Sequence, residues 1–208
     1  MTRIRSIIFD MDGVLIDARE WHYEALNRAL GLFGMEISRY DHLTTFDGLP
    51  TRKKLQLLSL ERGLSPRLHE FINEMKQRYT MELAAARCRP TFCHEFALSR
   101  LKRDGYTLAV CSNSVRASVE VMMEKACLAP YLEFSLSNED VARAKPDPDI
   151  YQRAIAALGR APAECLVLED NENGVRAAVA SGAHLLRVAR VEEVTYEAIK
   201  RRVAEIES

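Results

Sequence analysis

Residues 6–16 read SIIFDMDGVLI, and this stretch decides the fold. Ser6 to Asp10 is a short, isoleucine-rich apolar run that stops at two acids, Asp10 and Asp12, and at Gly13. Such a run followed by acids and glycine predicts a buried strand and a tight turn. The period then changes. From Asp17 onward Trp21, Ala25, Leu26, Ala29, Leu30 and Phe33 recur at helical spacing, with Asp17 as N-cap, Glu20 three positions later and Gly34 as the stop. Two more helices are predicted. One lies between Thr51 and Arg62. The other has Ser65 capping and Pro66 at the first position, with Leu68, Phe71, Ile72, Met75, Tyr79 and Leu83 on its apolar face.

After Pro90 short apolar runs alternate with helical segments. The runs are Thr107 to Cys111, Phe134 to Leu136, Cys165 to Glu169 and His184 to Val188. The helices lie around His94 to Arg103, Val115 to Ala126, Pro148 to Leu158, Gly174 to Ser181 and Tyr196 to Ile206. Strands alternating with helices predict a parallel sheet covered on both faces. The expected fold class is therefore α/β, a Rossmann-like parallel sheet core with an inserted small helical cap domain. The expected boundaries put residues 1–16 and 88–208 in the core and residues 17–87 in the cap.

A chain of 208 residues with 48% hydrophobic and 28% charged residues is a folded protein with a core of its own, and disordered, collagenous and coiled-coil chains are excluded. Its 29 Lys plus Arg against 30 Asp plus Glu leave a net charge of -1, so no general field draws it to nucleic acid or anionic lipid. No apolar run approaches the ~20 residues that span a bilayer, and the N-terminus lacks the pattern of a secretory signal. The expectation is a cytoplasmic monomer that binds neither nucleic acid nor membrane. The five cysteines form no CxxC pair and read as buried thiols. His42, His69, His94 and His184 have no partner at metal-ligand spacing and read as surface or satisfied core residues. Trp21 reads as a packing residue of its helix.

In an open parallel sheet, ligands gather beyond the carboxyl ends of the strands. The residues that end the runs are polar: Asp10 and Asp12 after the first, Ser112 and Asn113 after the second, Glu169 and Asp170 at the fourth. Lys145 lies in the loop KPDP before a helix. Each has a plain structural reading, since paired acids are common in turns, Ser112, Asn113 and Ser114 can cap a helix, and a lysine can be solvated. Together they put four acids, a hydroxyl, an amide and a cation at one edge. Clustered carboxylates repel, so a cation is expected among them. Mg²⁺ suits carboxylate oxygens and a substrate phosphate, and no His or Cys cluster suits zinc.

FDMDGV at Phe9 to Val14, CSNS at Cys111 to Ser114, KPDP at Lys145 to Pro148 and LEDNENG at Leu168 to Gly174 resemble the four ordered motifs of the haloacid dehalogenase superfamily. The helical insert directly after the first motif, and the string GVLID, resemble the branch holding phosphoglycolate phosphatase and β-phosphoglucomutase. The resemblance implies that Asp10 is the nucleophile, forming an aspartyl phosphate, and that Asp12 is the acid and base. It implies that Ser112, Asn113 and Lys145 hold the phosphoryl oxygens. It places Mg²⁺ on Asp10, Asp170 and the Asp12 carbonyl, with Glu169 either a ligand or a partner of one. In the insert it implies substrate-facing roles for His22 and Arg52, and for Lys76, each of which could equally lie on a helix surface. Ala18 follows Asp17 where a serine or threonine is usual, and Pro90 is followed by Thr91 and Phe92 rather than glycine, departures that bear on the substrate. The implied activity is a Mg²⁺-dependent phosphatase acting on a small phosphorylated metabolite. A phosphosugar mutase and an idle binding protein of the same fold are the alternatives.

Overall fold

The computed structural model describes residues 3–208. They form two compact units, a helical one from Ala18 to Cys88 and a second made of the chain up to Asp17 and from Arg89 to Ser208.

The second unit is built on a five-stranded sheet among the described residues, with strands β1 (Ser6–Phe9), β2 (Thr107–Cys111), β3 (Phe134–Leu136), β4 (Cys165–Glu169) and β5 (His184–Arg187). Their order is β3-β2-β1-β4-β5 and every pairing is parallel, so all carboxyl ends share one edge. Ser6 sits in register with Thr107 on one side and with Cys165 on the other. The chain thus builds outward from β1 in one direction and then in the other, which makes β1 the switch point where ligand crevices form. β1 and β4 are buried along their whole length, as expected for strands covered on both faces, whereas the edge strands β3 and β5 are only half-buried.

Helices α4 (Phe92–Arg103), α5 (Arg116–Lys125), α6 (Asp149–Ala157), α7 (Glu172–Ala180) and α8 (Tyr196–Glu207) belong to this unit. One apolar cluster joins Ile8, Cys111 and Val167 of the strands to Ile150, Tyr151 and Ala154 of α6 and to Ala177 and Ala178 of α7. Full burial of a side chain such as Ile8 is worth about 1.5–3 kcal/mol, so this layer anchors the strand ends that carry the polar residues. Cys111 and Cys165 are buried in the strands as expected, while Cys127 is exposed; the cysteines are free thiols.

The helical unit contains α1 (Arg19–Gly31), α2 (Thr51–Arg62) and α3 (His69–Arg87). A short turn, Arg39–Asp41, runs into a wide π-type turn, His42–Phe46. Leu26, Ala29, Leu30, Ile37, Phe46, Leu55, Leu58, Leu64 and Ile72 form a core of its own.

Two local expectations fail here. The N-cap of α1 is Ala18, not Asp17, and no side chain caps it. The turn after β1 is the reason. The Leu15 and Ile16 N–H groups both donate to the Met11 carbonyl at 2.9 Å and Gly13 N–H to Ile16 O at 2.7 Å, so Asp17 still belongs to the exit from that turn. In α3, Pro66–Leu68 forms a separate 3-10 turn without a cap from Ser65, and the buried face carries Ile72, Lys76, Thr80, Leu83 and Ala84. Phe71 is exposed, edge-on to Phe33 at 5.8 Å, because Ile72 takes the core position and polar Lys76 and Thr80 share its face. His42 is a core residue rather than a surface one, buried with its ring 5.0 Å from that of Tyr23. Among the described residues no helix is long and apolar enough to cross a membrane.

Candidate active site

Asp10 follows the last residue of β1 and continues its hydrogen bonding, its N–H donating to Leu168 O at 3.0 Å. Backbone pairing with β4 therefore fixes where its carboxylate emerges. Asp10 is buried, and its Oδ1 accepts from Lys145 Nζ at 2.6 Å. Lys145 is 2% exposed and also donates toward Glu169 Oε1 at 2.7 Å and the Cys111 carbonyl at 2.8 Å. An ammonium so deep in the protein persists only because carboxylates face it.

The loop that carries Lys145 is held by Asn113. Asn113 Oδ1 accepts from the Lys145 N–H at 3.0 Å and its Nδ2 donates to the Lys145 carbonyl at 3.2 Å. Asn113, expected at the phosphoryl oxygens, thus has its amide engaged with the backbone of Lys145. Ser112 is buried at the end of β2, and its Oγ accepts from Ser114 N–H at 3.0 Å. The hydroxyl of Ser114 does not cap α5, whose N-cap is Val115, but donates to Asp12 Oδ2 at 2.8 Å. Asp12 itself lies in the turn after β1, where Gly13 has φ +90°.

Glu169 ends β4 and is fully buried. Its Oε1 accepts from Tyr151 Oη at 2.5 Å as well as from Lys145, and its Oε2 accepts from the Asp170 N–H at 3.2 Å. Asp170 Oδ1 accepts from Asn171 Nδ2 at 3.1 Å. Asp10, Glu169 and Asp170 each offer an oxygen, and these oxygens lie within 4.8 Å of one another. The Asp12 carboxylate is not part of that trio.

Two glycines keep the trio in place. A Cβ on Gly13 would overlap the Asp170 carboxylate, and one on Gly174, in the first turn of α7, would overlap the carboxylate of Glu169. Both motifs therefore need glycine because backbone and carboxylate approach too closely for any side chain.

The charges explain what the site can hold. Burial raises Asp10 well above the ordinary carboxylate range; Lys145 opposes this, while Glu169, Asp170 and Asp12 add to it. For Lys145, burial pulls downward, but the charges of Asp10 and Glu169 outweigh it and hold the ammonium above its usual value. Burial likewise raises the Tyr151 phenol well above its normal range. One ammonium beside four carboxyl groups leaves negative charge uncompensated. An all-oxygen donor set in that surplus fits a hard divalent cation such as Mg²⁺.

Tyr151 and Ser114 were not singled out from the sequence for this site. The available signals were slight: Tyr151 lies six residues after Lys145 on the buried face of α6, where a phenol needs a partner, and Ser114 closes the CSNS string. His22 and Arg52 belong to the helical unit. There His22 Nδ1 lies 3.2 Å from Lys76 Nζ, Lys76 is buried, and Arg52 is exposed in the first turn of α2.

A family model described as haloacid dehalogenase-like hydrolase matches residues 7–188. Among curated relatives, the protein CbbY of Rhodobacter capsulatus is 27% identical over 191 residues, covering 88% of this chain and 84% of its own. A phosphorylated carbohydrates phosphatase of Thermotoga maritima is 28% identical over 182 residues, covering 86% and 82%. The fold is also that of a β-phosphoglucomutase from Clostridium difficile, with a TM-score of 0.83, 19% identity, and coverage of 97% of this chain and 98% of the other.

Proposed function

We propose a specific activity for this chain, which belongs to the haloacid dehalogenase-like hydrolase family: Mg²⁺-dependent release of phosphate from a small phosphorylated metabolite, with a phosphorylated sugar as the substrate class. The chain is a phosphoric monoester hydrolase, as its phosphatase relatives are named. The observation that carries the finer reading is the buried Asp10 carboxylate. It lies at the switch point of the sheet, bound by Lys145 at 2.6 Å and beside two further carboxylates. The sugar class is supported by the name of the Thermotoga maritima relative.

In this reading the Asp10 carboxylate attacks phosphorus, the bond from phosphorus to the alcohol oxygen breaks, and Asp12 gives its proton to that oxygen. Ser114 donates to Asp12 Oδ2, so the transferable proton belongs on the other oxygen, Oδ1. Asp12 then takes a proton from water, whose oxygen attacks phosphorus. The bond to Asp10 breaks and phosphate leaves. Ser112 and Lys145 hold the phosphoryl oxygens, and Asn113 holds the backbone of Lys145. Mg²⁺ would be held by Asp10, Asp170 and the Asp12 carbonyl, and when bound it neutralises charge on the phosphoryl group. His22 and Arg52 of the helical unit, the cap in this reading, are assigned to the rest of the substrate.

The test is a panel of phosphorylated sugars with free phosphate as readout, run on the native chain and on Asp10→Asn. The variant should keep its circular dichroism and lose turnover, and chelation should stop the native activity until Mg²⁺ is restored. Residual turnover by the purified variant removes Asp10 from the role. Supplying β-glucose 1-phosphate with a bisphosphate primer separates the mutase: isomerisation much faster than phosphate release overturns hydrolysis as the main reaction.

A further inference from the structure

Tyr151 is completely buried in the first turn of α6, and its hydroxyl lies 2.8 Å from Lys145 Nζ and 2.5 Å from Glu169 Oε1. Proton accounting shows what it does there. An ammonium carries three protons. Yet Asp10 Oδ1, the Cys111 carbonyl, Tyr151 Oη and Glu169 Oε1 all lie within hydrogen-bond distance of Lys145 Nζ, at 2.6, 2.8, 2.8 and 2.7 Å. Lysine cannot serve all of these oxygens at once. The phenol eases the shortfall by donating its own proton to Glu169 Oε1. Whichever three of these oxygens take the lysine protons, Glu169 Oε1 keeps a donor of its own in the phenol.

This arrangement holds both oxygens of Glu169. Oε1 faces Tyr151 and Lys145, Oε2 accepts from the Asp170 N–H at 3.2 Å, and Gly174 leaves the room that the carboxylate needs. We propose that Tyr151 is a positioning residue whose hydroxyl keeps Glu169 as the counter-ion of Lys145 and out of the ligand shell of the divalent cation. Glu169 thereby differs in role from Asp10 and Asp170, although its oxygen lies as close to theirs as a ligand's would. The inference rests on the reading of those two residues as cation ligands. A phenylalanine would keep the ring in its cluster with Ile8, Cys111 and Val167 but withdraw the proton. Glu169 Oε1 would then turn toward the cation and add a carboxylate oxygen. Ca²⁺ accepts more oxygen ligands than Mg²⁺, so the added oxygen favours Ca²⁺.

The experiment is calorimetric titration of the full chain with Mg²⁺ or Ca²⁺ in the absence of substrate, on the native protein, Tyr151→Phe and Tyr151→Phe with Glu169→Gln. The expected result is a rise of about tenfold in the Ca²⁺ to Mg²⁺ affinity ratio in Tyr151→Phe, the scale of one charge-assisted hydrogen bond, abolished in the double variant. An unchanged ratio, or a shift that survives Glu169→Gln, overturns the proposal. An independent arm needs no change at Tyr151: Glu169→Gln should retain measurable Mg²⁺ binding where Asp170→Asn loses it, and equal loss in both overturns the proposal. A native chain that binds no divalent cation refutes the cation reading itself. Native binding with an unchanged ratio in Tyr151→Phe refutes only the role of Tyr151.

Discussion

Replacing Lys145 by methionine keeps the length of the side chain and removes its charge, which strands two buried carboxylates. The ammonium lies 2.6 Å from Asp10 and 2.7 Å from Glu169, with side-chain exposures of 2%, 6% and 0% for Lys145, Asp10 and Glu169. At an effective dielectric constant of about 20, unit charges ~4 Å apart attract by about 4 kcal/mol. The desolvation that the lysine no longer suffers offsets part of that loss. Breaking a buried pair by removing one partner costs about 3–5 kcal/mol, and for a chain of this size each kcal/mol lowers the melting midpoint by roughly 2–4 °C. We therefore expect Lys145→Met to melt about 10 °C lower than the native chain at about pH 8, followed by circular dichroism with chelator present. The pH dependence has a definite sign. Asp10 is already raised by burial, and without Lys145 it rises further, so the folded state takes up a proton that the unfolded chain does not hold. The penalty is full above the folded pKa of Asp10 and fades as pH falls through it toward the ordinary carboxylate value. The gap between variant and native chain must therefore narrow at about pH 5. A gap equal at both pH values, or a loss below about 1 kcal/mol, refutes the claim that Lys145 neutralises these carboxylates.

Ser114→Ala removes the donor to Asp12 Oδ2, and kcat should fall about tenfold with Mg²⁺ affinity retained; a change in cation affinity instead would place Ser114 at the metal. Gly174→Ala drives a Cβ into the Glu169 carboxylate and should cost about 1–3 kcal/mol in urea unfolding, whereas unchanged stability would show that the carboxylate moves freely. His42 is pushed down to about 4, chiefly by burial, so it is neutral when folded and charged when unfolded between that value and its ordinary one. Its contribution is full above the unfolded pKa and is lost as pH falls toward about 4, at most ~3 kcal/mol and about half of that once solvent screening is allowed for. Replacing His42 with leucine should flatten this acid-side loss in a denaturation series.

The chemistry was legible in the sequence because each strand of a parallel sheet ends at the same edge. Short apolar runs that stop at Asp10, Ser112 and Glu169 therefore announce a common site without any knowledge of packing. Even the three-residue strand Phe134–Leu136 could be read, since an apolar run between helices has few other places to go. The helical segment had a weaker signature. Lys76 and Thr80 share the buried face of α3 with Ile72, and apolar periodicity cannot register polar residues that face inward. The same limit hid the burial of His42.

The sequence by itself determined which residue types reach the sheet edge and where glycine must stand, because these follow from strand ends and turn geometry. Gly13 and Gly174 occur in the quoted motifs, yet only folding shows that each makes room for a carboxylate, that of Asp170 and that of Glu169. Tertiary structure alone decided which polar groups meet. Asn113 and Lys145 are 32 residues apart, Ser114 and Asp12 are 102 apart, and Lys145 and Asp10 are 135 apart. Partnerships at such separations depend on strand register and on the packing of α6 against β2. Tyr151 is the clearest case. On its helix it reads as one more apolar contact, and only the burial of Lys145 and Glu169 beside it turns its hydroxyl into the donor that balances their protons.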